Sequence, residues 1–186
     1  MEVGMLSIRE VHSMIIRKAG PDQFNDIMNF YYDIIEDIGD SKDSAGWTRD
    51  VYPSADMIRD SIDKGELYLA IENDKIVGAM VLNHEYNEEY NNCDWPTKAD
   101  ADEISVIHIL GVHPSYRRKG CAAKLVQFAR DHGRETGQKV IRLDVLKGNL
   151  IAEKMYPEMG FKYVMTLPVF YEDIGLKDFE LYECPL

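Results

Sequence analysis

The chain of 186 residues has no apolar run of about 18, so no segment can cross a bilayer as a helix. Cysteine is scarce. Cys93, Cys121 and Cys184 are odd in number and far apart, which argues against a disulfide framework or a zinc site and fits reduced cytosolic thiols. No metal is therefore expected. Positive charge is also short: 21 Lys and Arg stand against 33 Asp and Glu, a net −12. That balance disfavours general binding to a nucleic-acid backbone, which demands cationic surface. The opening stretch MEVGMLSIREVHSM lacks the apolar core of a signal peptide, so a cytoplasmic location is expected. No G-x-G-x-x-G follows the first strand, which weakens a dinucleotide-binding reading. Repeats, low-complexity tracts and linkers are absent too. What is present is 45% hydrophobic and 10% aromatic residues, enough for one domain with a real core.

The pattern along the chain is α/β. Residues 11–18 end in a short apolar run of strand type. Phe24, Ile27, Met28, Tyr31, Ile34, Ile35 and Ile38 recur at three and four residues, predicting a helix that Gly39 stops. A polar loop runs to Pro53, where Pro53 or Ser54 starts a second helix over Met57, Ile58 and Ile62. Leu67–Ile71 and Ile76–Leu82, joined across Asn73-Asp74, predict a β-hairpin. Gly78 within it predicts a bulge or a close approach. Residues 84–103 form a polar, acidic excursion interrupted by Tyr86, Tyr90 and Trp95, long enough to be functional or mobile. ISVIHILGV at 104–112 reads as a buried central strand. A helix carrying Ala122, Leu125, Val126 and Ala129 follows, then a strand at Val140–Val145 and a helix capped by Asn149. Residues 161–171 and 178–184 look like a closing strand pair.

Charge is unevenly distributed. Residues 115–147 hold nine basic and three acidic residues, a local +6, leaving 12 basic and 30 acidic residues, or −18, elsewhere. Such an island is either a solvated helix face or an anion site. Within it, Arg117-Arg118-Lys119-Gly120-Cys121-Ala122 falls between a buried strand and an amphipathic helix. The unpaired N–H groups and dipole of a helix N-terminus suit a pyrophosphate, Gly120 lets the backbone approach it, and Ala122 is too small to block it.

These residues resemble the acyl-CoA signature of the GNAT superfamily of N-acetyltransferases: Arg or Gln, two residues, Gly, one residue, then Gly or Ala, after a Val-x-Pro strand end matched by Val112-His113-Pro114. A second stretch, Asn149 through Ala152 and Tyr156 to Gly160-Phe161, resembles the family's Asn, Ala, Tyr, Gly-Phe pattern. The resemblance spans roughly residues 14–186, with the specific motifs in 104–163. It implies a single GNAT-like domain at 14–186 after an N-terminal extension at 1–13. The fold would be a mixed central sheet of six or seven strands flanked by helices, with a splayed strand pair admitting CoA.

By that resemblance, the backbone of Leu110, Gly111 and Val112 would hold the pantetheine arm and thioester of acetyl-CoA. Arg117, Arg118, Lys119, Gly120, Cys121 and Ala122 would hold the pyrophosphate, and Asn149 would hydrogen-bond the cofactor. Tyr156 would be the acid that protonates the departing thiolate, which suits a phenol beside the sulfur; its plain alternative is packing with Ala152 and Met155. Three departures stand out. Cys121 replaces a frequent aliphatic and is either a small packing residue or a thiol activated by the helix N-terminus. Arg118 replaces a frequent glycine. Pro157 follows Tyr156 and is expected to kink or tighten the helix, which leaves open whether the tyrosine is displaced.

An amine acceptor must lose a proton before it attacks. Glu103 and His108 are the candidate bases, His108 having the apter intrinsic pKa but also the placement of a core residue. Asp144, between Leu143 and Val145, is either partly buried or paired in the neighbourhood of Arg142, and His113 beside the phosphate loop is expected to be structural. Acceptor walls are expected from the Asp37–Pro53 loop, the 84–103 excursion and the C-terminal hairpin with Phe170 and Tyr171. Their acids and aromatics suit a cationic amine, or simply keep the protein soluble. The acceptor would be a small-molecule amine or a peptide N-terminus, with neither nucleic acid nor membrane as partner, and a homodimer is allowed. The competing expectation is a CoA-binding sensor or regulatory module without turnover.

Overall fold

The computed structural model describes residues 13–39, 46–172 and 174–186. The expected extension at 1–13 falls, apart from Ser13, outside the described residues, as do positions 40–45 of the loop before Pro53. The chain runs β1 (Ile15–Lys18), α1 (Phe24–Ile38), α2 (Ala55–Asp63), β2 (Leu67–Glu72), β3 (Lys75–Asn83), β4 (Ile104–Val112), α3 (Cys121–Glu135), β5 (Val140–Leu146), α4 (Leu150–Glu158), β6 (Lys162–Tyr171) and β7 (Gly175–Pro185). The α2 start resolves to Ser54, whose hydroxyl accepts from the Met57 N–H at 3.2 Å. At the hairpin, Asn73 and Asp74 both adopt positive φ, as a two-residue turn of this hand requires.

The strands form one seven-stranded sheet in the order β1-β2-β3-β4-β5-β7-β6, parallel only between β4 and β5. The apolar faces of the helices cover both sides. Ile27, Tyr31 and Ile34 of α1, with Ile58 and Ile62 of α2, pack on Leu67, Leu69, Ala79, Val81 and Ile109. Leu125, Val126 and Ala129 of α3 and Tyr156 of α4 pack on Met80, Leu82, Ile107, Ile141 and Leu143 of the opposite face. This is the mixed, helix-flanked sheet expected from the sequence.

The excursion at 84–103 is neither loose nor a simple loop. Its short helical turns bury Tyr90, Cys93 and Trp95 against Val169, Phe179 and Leu181 of the C-terminal hairpin. Arg142 of β5 ties it down, stacking its guanidinium 4.1 Å from the Trp95 ring and donating to the Thr97 carbonyl at 2.8 Å.

At Gly78 both sequence expectations are realised. The β2–β3 register slips by one residue at neighbouring Val77, and a Cβ on Gly78 would lie 2.6 Å from Cys121 Sγ and 3.3 Å from the Gly111 carbonyl. The glycine thus lets α3 seat its first residue directly on β3. Gly78→Ala is expected to cost about 1–3 kcal/mol by overpacking, read from urea unfolding. Adding Cys121→Ala, which removes the tightest of these contacts, should recover part of that loss.

Candidate active site

The site begins with a strand pair that stops pairing. β4 and β5 are in register only at Ile104–Val140, Ser105–Ile141 and Val106–Arg142. Past these, β4 carries a bulge against β3: Val81 faces His108 and Ala79 faces Gly111, so Ile109 and Leu110 stand opposite Met80 alone. Ile109 has φ +43°, a region β-branched residues avoid. The Tyr31 hydroxyl of α1 holds it there, donating 2.9 Å to the Ile109 carbonyl inside the core, while Trp47 packs edge-on against Tyr31. A Cβ on Gly111 would lie 2.9 Å from Ile34 and 3.3 Å from Trp47, so glycine is what permits this approach. Beyond the bulge a gap opens between Leu110–Val112 and the end of β5. Its edges carry backbone groups without a strand partner, suited to an extended ligand with amides of its own.

At the far end of β4, residues 113–120 turn into α3. Arg118 and Gly120 adopt φ +61° and +81°. Arg118 thus occupies a left-handed position that favours glycine, which explains why glycine is frequent there in the family it resembles. A Cβ on Gly120 would meet nothing within 4 Å, so the first turn of α3 faces open space with its N–H groups unpaired. Arg117 is 2.5 Å from Asp37 of α1, and Lys119 lies over the Tyr116 ring at 4.7 Å. Arg118 is exposed and in no ion pair among the described residues. Cys121 points away from this surface: its Sγ donates to the Val77 carbonyl at 3.6 Å. Burial pushes its thiol up to about 11, so it is no thiolate nucleophile, and only its backbone N–H belongs to the loop.

On the other flank, Asn149 caps α4, its side-chain oxygen accepting from the Ala152 N–H at 3.2 Å and leaving the amide Nδ2 for a ligand. Tyr156 is 7% exposed, its ring edge-on to Phe161 at 5.4 Å. Pro157 inside the helix leaves the ring buried. The helix tightens after the tyrosine instead: the Met159 N–H is shared between the Met155 and Tyr156 carbonyls, and Gly160 bonds Pro157 at 3.0 Å. Among the described residues nothing hydrogen-bonds the Tyr156 hydroxyl. Burial, followed by the negative charge of Asp144, raises its pKa, so it keeps its proton at neutral pH.

The two candidate bases part company. Glu103 precedes β4 at its paired end, roughly 20 Å along the strand from the bulge at 3.3 Å per residue. It forms an ion pair with Lys139 at 2.7 Å and accepts from the Asp100 N–H, interactions that lower its pKa. It lines a cleft of about 480 Å³ with Tyr86, Trp95, Lys139 and Arg142, away from the gap. The structure does not bring it to Tyr156. His108 sits next to the bulge. Extending the β4–β5 register places it opposite Asp144, whose Oδ2 accepts a short hydrogen bond from the Tyr90 hydroxyl. The sequence left Asp144 either partly buried or paired near Arg142, and gave no sign of Tyr90 as its partner. The available signal was a lone acid within the apolar run VIRLDVL. Two expected walls meet here, since Tyr171 of the hairpin interacts with Tyr90 and its ring packs on Phe179 at 5.2 Å. Phe170 is exposed instead. Among the described residues no group of His, Cys, Asp or Glu side chains could hold a metal.

A sheet parted between its two parallel strands, flanked by an open helix N-terminus and a buried phenol, defines the acyltransferase class of α/β fold. The chain belongs to the Acetyltransferase (GNAT) family, whose model matches residues 27–161. Among solved structures it resembles a GNAT-family acetyltransferase from Streptococcus agalactiae 2603, with TM-score 0.75 and 20% identity over 93% of this chain and 95% of that one. It also resembles an acetyltransferase structure from Salmonella typhimurium with its cofactor acetyl-CoA, with TM-score 0.66 and 18% identity over 94% of each chain. A curated relative is the ribosomal protein bS18-alanine N-acetyltransferase of Haemophilus ducreyi, 27% identical over 94 residues, or 50% of this chain and 65% of the relative. The chain spans 31% and 65% of the two curated relatives it matches.

Gly120→Glu places a carboxylate where the α3 N–H groups open to solvent. CoA affinity by titration calorimetry is expected to fall at least about tenfold, roughly 1.4 kcal/mol. Unchanged affinity would remove residues 117–122 from the phosphate site.

Proposed function

We propose that this protein, with residues 14–186 as its one domain, transfers the acetyl group of acetyl-CoA to a primary amine by direct attack on the thioester. The observation that carries this reading is the placement of Tyr156: a protonated, buried phenol on the flank of a strand gap that opens toward a phosphate-accepting helix N-terminus. The residues present fit the cosubstrate. Unpaired N–H groups at Gly120, Cys121 and Ala122, with Arg117, Arg118 and Lys119 beside them, suit the pyrophosphate. The backbone of Leu110, Gly111 and Val112 suits the pantetheine amides, and Asn149 offers its free amide.

The amine arrives protonated and gives its proton to His108, the candidate base that lies beside the gap; Glu103 is set aside by its distance. The nitrogen lone pair then forms the C–N bond at the thioester carbonyl. As the C–S bond breaks, the sulfur takes the Tyr156 proton and leaves as a thiol, and the second proton, shed by the acylated nitrogen as it becomes an amide, restores the Tyr156 phenol. The acceptor approaches from the α1–α2 face, where Asp144, Tyr90 and Tyr171 are grouped. A peptide N-terminus belongs in the acceptor panel because the Haemophilus relative is named as an N-acetyltransferase of an alanine of ribosomal protein bS18.

The test is thiol release from acetyl-CoA against a panel of small amines and peptides, one beginning with alanine. Tyr156→Phe should lower kcat by roughly 10²-fold or more with little change in KM for acetyl-CoA, the range expected for loss of a general acid. Full activity in that variant would remove the proposed acid. Tight CoA binding without turnover on any amine would support the sensor reading instead.

A further inference from the structure

The hydrogen bonds around His108 fix which of its nitrogens can take a proton. Its Nε2 lies 2.9 Å from Asn83 Oδ1 and 3.0 Å from the Glu85 carbonyl oxygen. The orientation of the Asn83 amide is set independently: Nδ2 donates to Glu66 Oε2 at 3.2 Å, and Oδ1 accepts the Glu85 N–H at 3.0 Å. Both neighbours of Nε2 are thus acceptors, and neither can supply a proton. Nε2 must carry the hydrogen, and in the neutral ring Nδ1 is the bare lone pair. Among the described residues Nδ1 has no hydrogen-bond partner.

We propose that Asn83 is a positioning residue for amine deprotonation: the Glu66–Asn83–His108 chain holds the imidazole as its Nε2–H tautomer, so that Nδ1 takes the acceptor's proton, with Asp144 across the strand gap as counter-charge for the imidazolium. This rests on the acetyl-transfer reading. The proton balance is simple. The ammonium gives one proton to Nδ1 and the amine keeps its lone pair for attack; the imidazolium later returns that proton to solvent, and the second proton, shed by the nitrogen as the amide forms, replaces the one Tyr156 gives to the thiolate.

The surroundings favour this poise. Burial holds the His108 pKa below its ordinary value, so the ring is neutral and receptive at pH 7. Asp144 of β5, Glu85 of the excursion and Glu66 before β2 act in the opposite sense and favour the imidazolium. Lys64 of the α2 C-terminus partly neutralises Glu85, at 3.0 Å, while also pairing with Asp60 at 2.8 Å. Burial raises the Asp144 pKa, while the hydrogen bond it accepts from Tyr90 and the charge of a protonated His108 act to lower it, so the imidazolium favours the Asp144 carboxylate beside it.

The experiment is long-range proton–nitrogen NMR of the imidazoles in ¹⁵N-labelled protein, across pH, for wild type, Asn83→Leu and Asn83→Asp, with pH profiles of kcat/KM alongside. Wild-type His108 should be the Nε2–H tautomer when neutral. Asn83→Leu should give mixed tautomers and lower kcat/KM for the amine by roughly tenfold or more, with KM for acetyl-CoA unchanged. Asn83→Asp puts a carboxylate beside Nε2–H, stabilises the imidazolium, and should move the acid limb of kcat/KM to higher pH by about one unit. A His108 carrying its proton on Nδ1, or an Asn83→Leu variant with the wild-type profile, would overturn the proposal. Should Asn83→Leu fail to fold, Asn83→Asp and the wild-type tautomer still decide it. The tautomer is read on the free protein, so it decides the proton's placement whether or not any amine is acetylated.

Discussion

Two parallel strands that stop pairing after three residue pairs impose the constraint on which the rest of the molecule depends. The facing edges of β4 and β5 beyond Val106 and Arg142 keep hydrogen-bonding groups that no strand satisfies, and buried groups of that kind are costly to leave unpaired. The sheet tolerates this because each edge is braced from behind. β4 stays paired to β3 through the bulge, and β5 is in register with β7 along its whole length, Val140 with Pro185 to Leu146 with Phe179. The bulge itself is pinned by Tyr31 from α1. Opening the sheet therefore recruits α1, β3 and β7 as supports, and the space between becomes a slot with a polar rim and apolar walls.

Most of the elements were legible because their signals are local. The spacing of Ile27, Tyr31 and Ile34, the Asn73-Asp74 turn and the capping residues Ser54 and Asn149 each act within a few residues, and the structure follows them. The bulge was not legible. Nothing in ISVIHILGV marks Ile109, and by its own preferences a β-branched residue is among the last that would take positive φ; the conformation is imposed by a hydrogen bond from 78 residues away. The same limit applies around His108. Its partners Asn83 and Glu85 lie 25 and 23 residues earlier and reach it only through the β3–β4 register. Glu103 is close to the strand in sequence, immediately before Ile104. Position along an extended strand, not adjacency to it, separates it from the gap.

Charge told a coarse truth that the structure refines. Several acids of the excursion and its borders are answered by nearby cations: Asp94 by Lys98, Glu103 by Lys139, Glu85 by Lys64. The basic island is partly answered as well, Arg117 by Asp37 and Arg134 by Asp131. These exposed pairs contribute little to stability. What remains after pairing is local: a helix entrance with Arg118 free beside it, and a carboxylate, Asp144, held by Tyr90 on the opposite face of the slot.

The three thiols also fare alike, although they lie on different elements. Cys93 belongs to the excursion and packs toward the C-terminal hairpin, Cys121 is pressed against Gly78, and Cys184 lies beneath Arg130; all three are buried and unoxidised. Burial raises the pKa of Cys93 and Cys121, which lowers their thiolate fractions. Exchange with another sulfur requires a thiolate that can be reached. A protein that sheds free CoA at each turnover would be bathed in a thiol, and in oxidising conditions in its disulfides. This chain presents them no accessible sulfur with which to form a mixed disulfide.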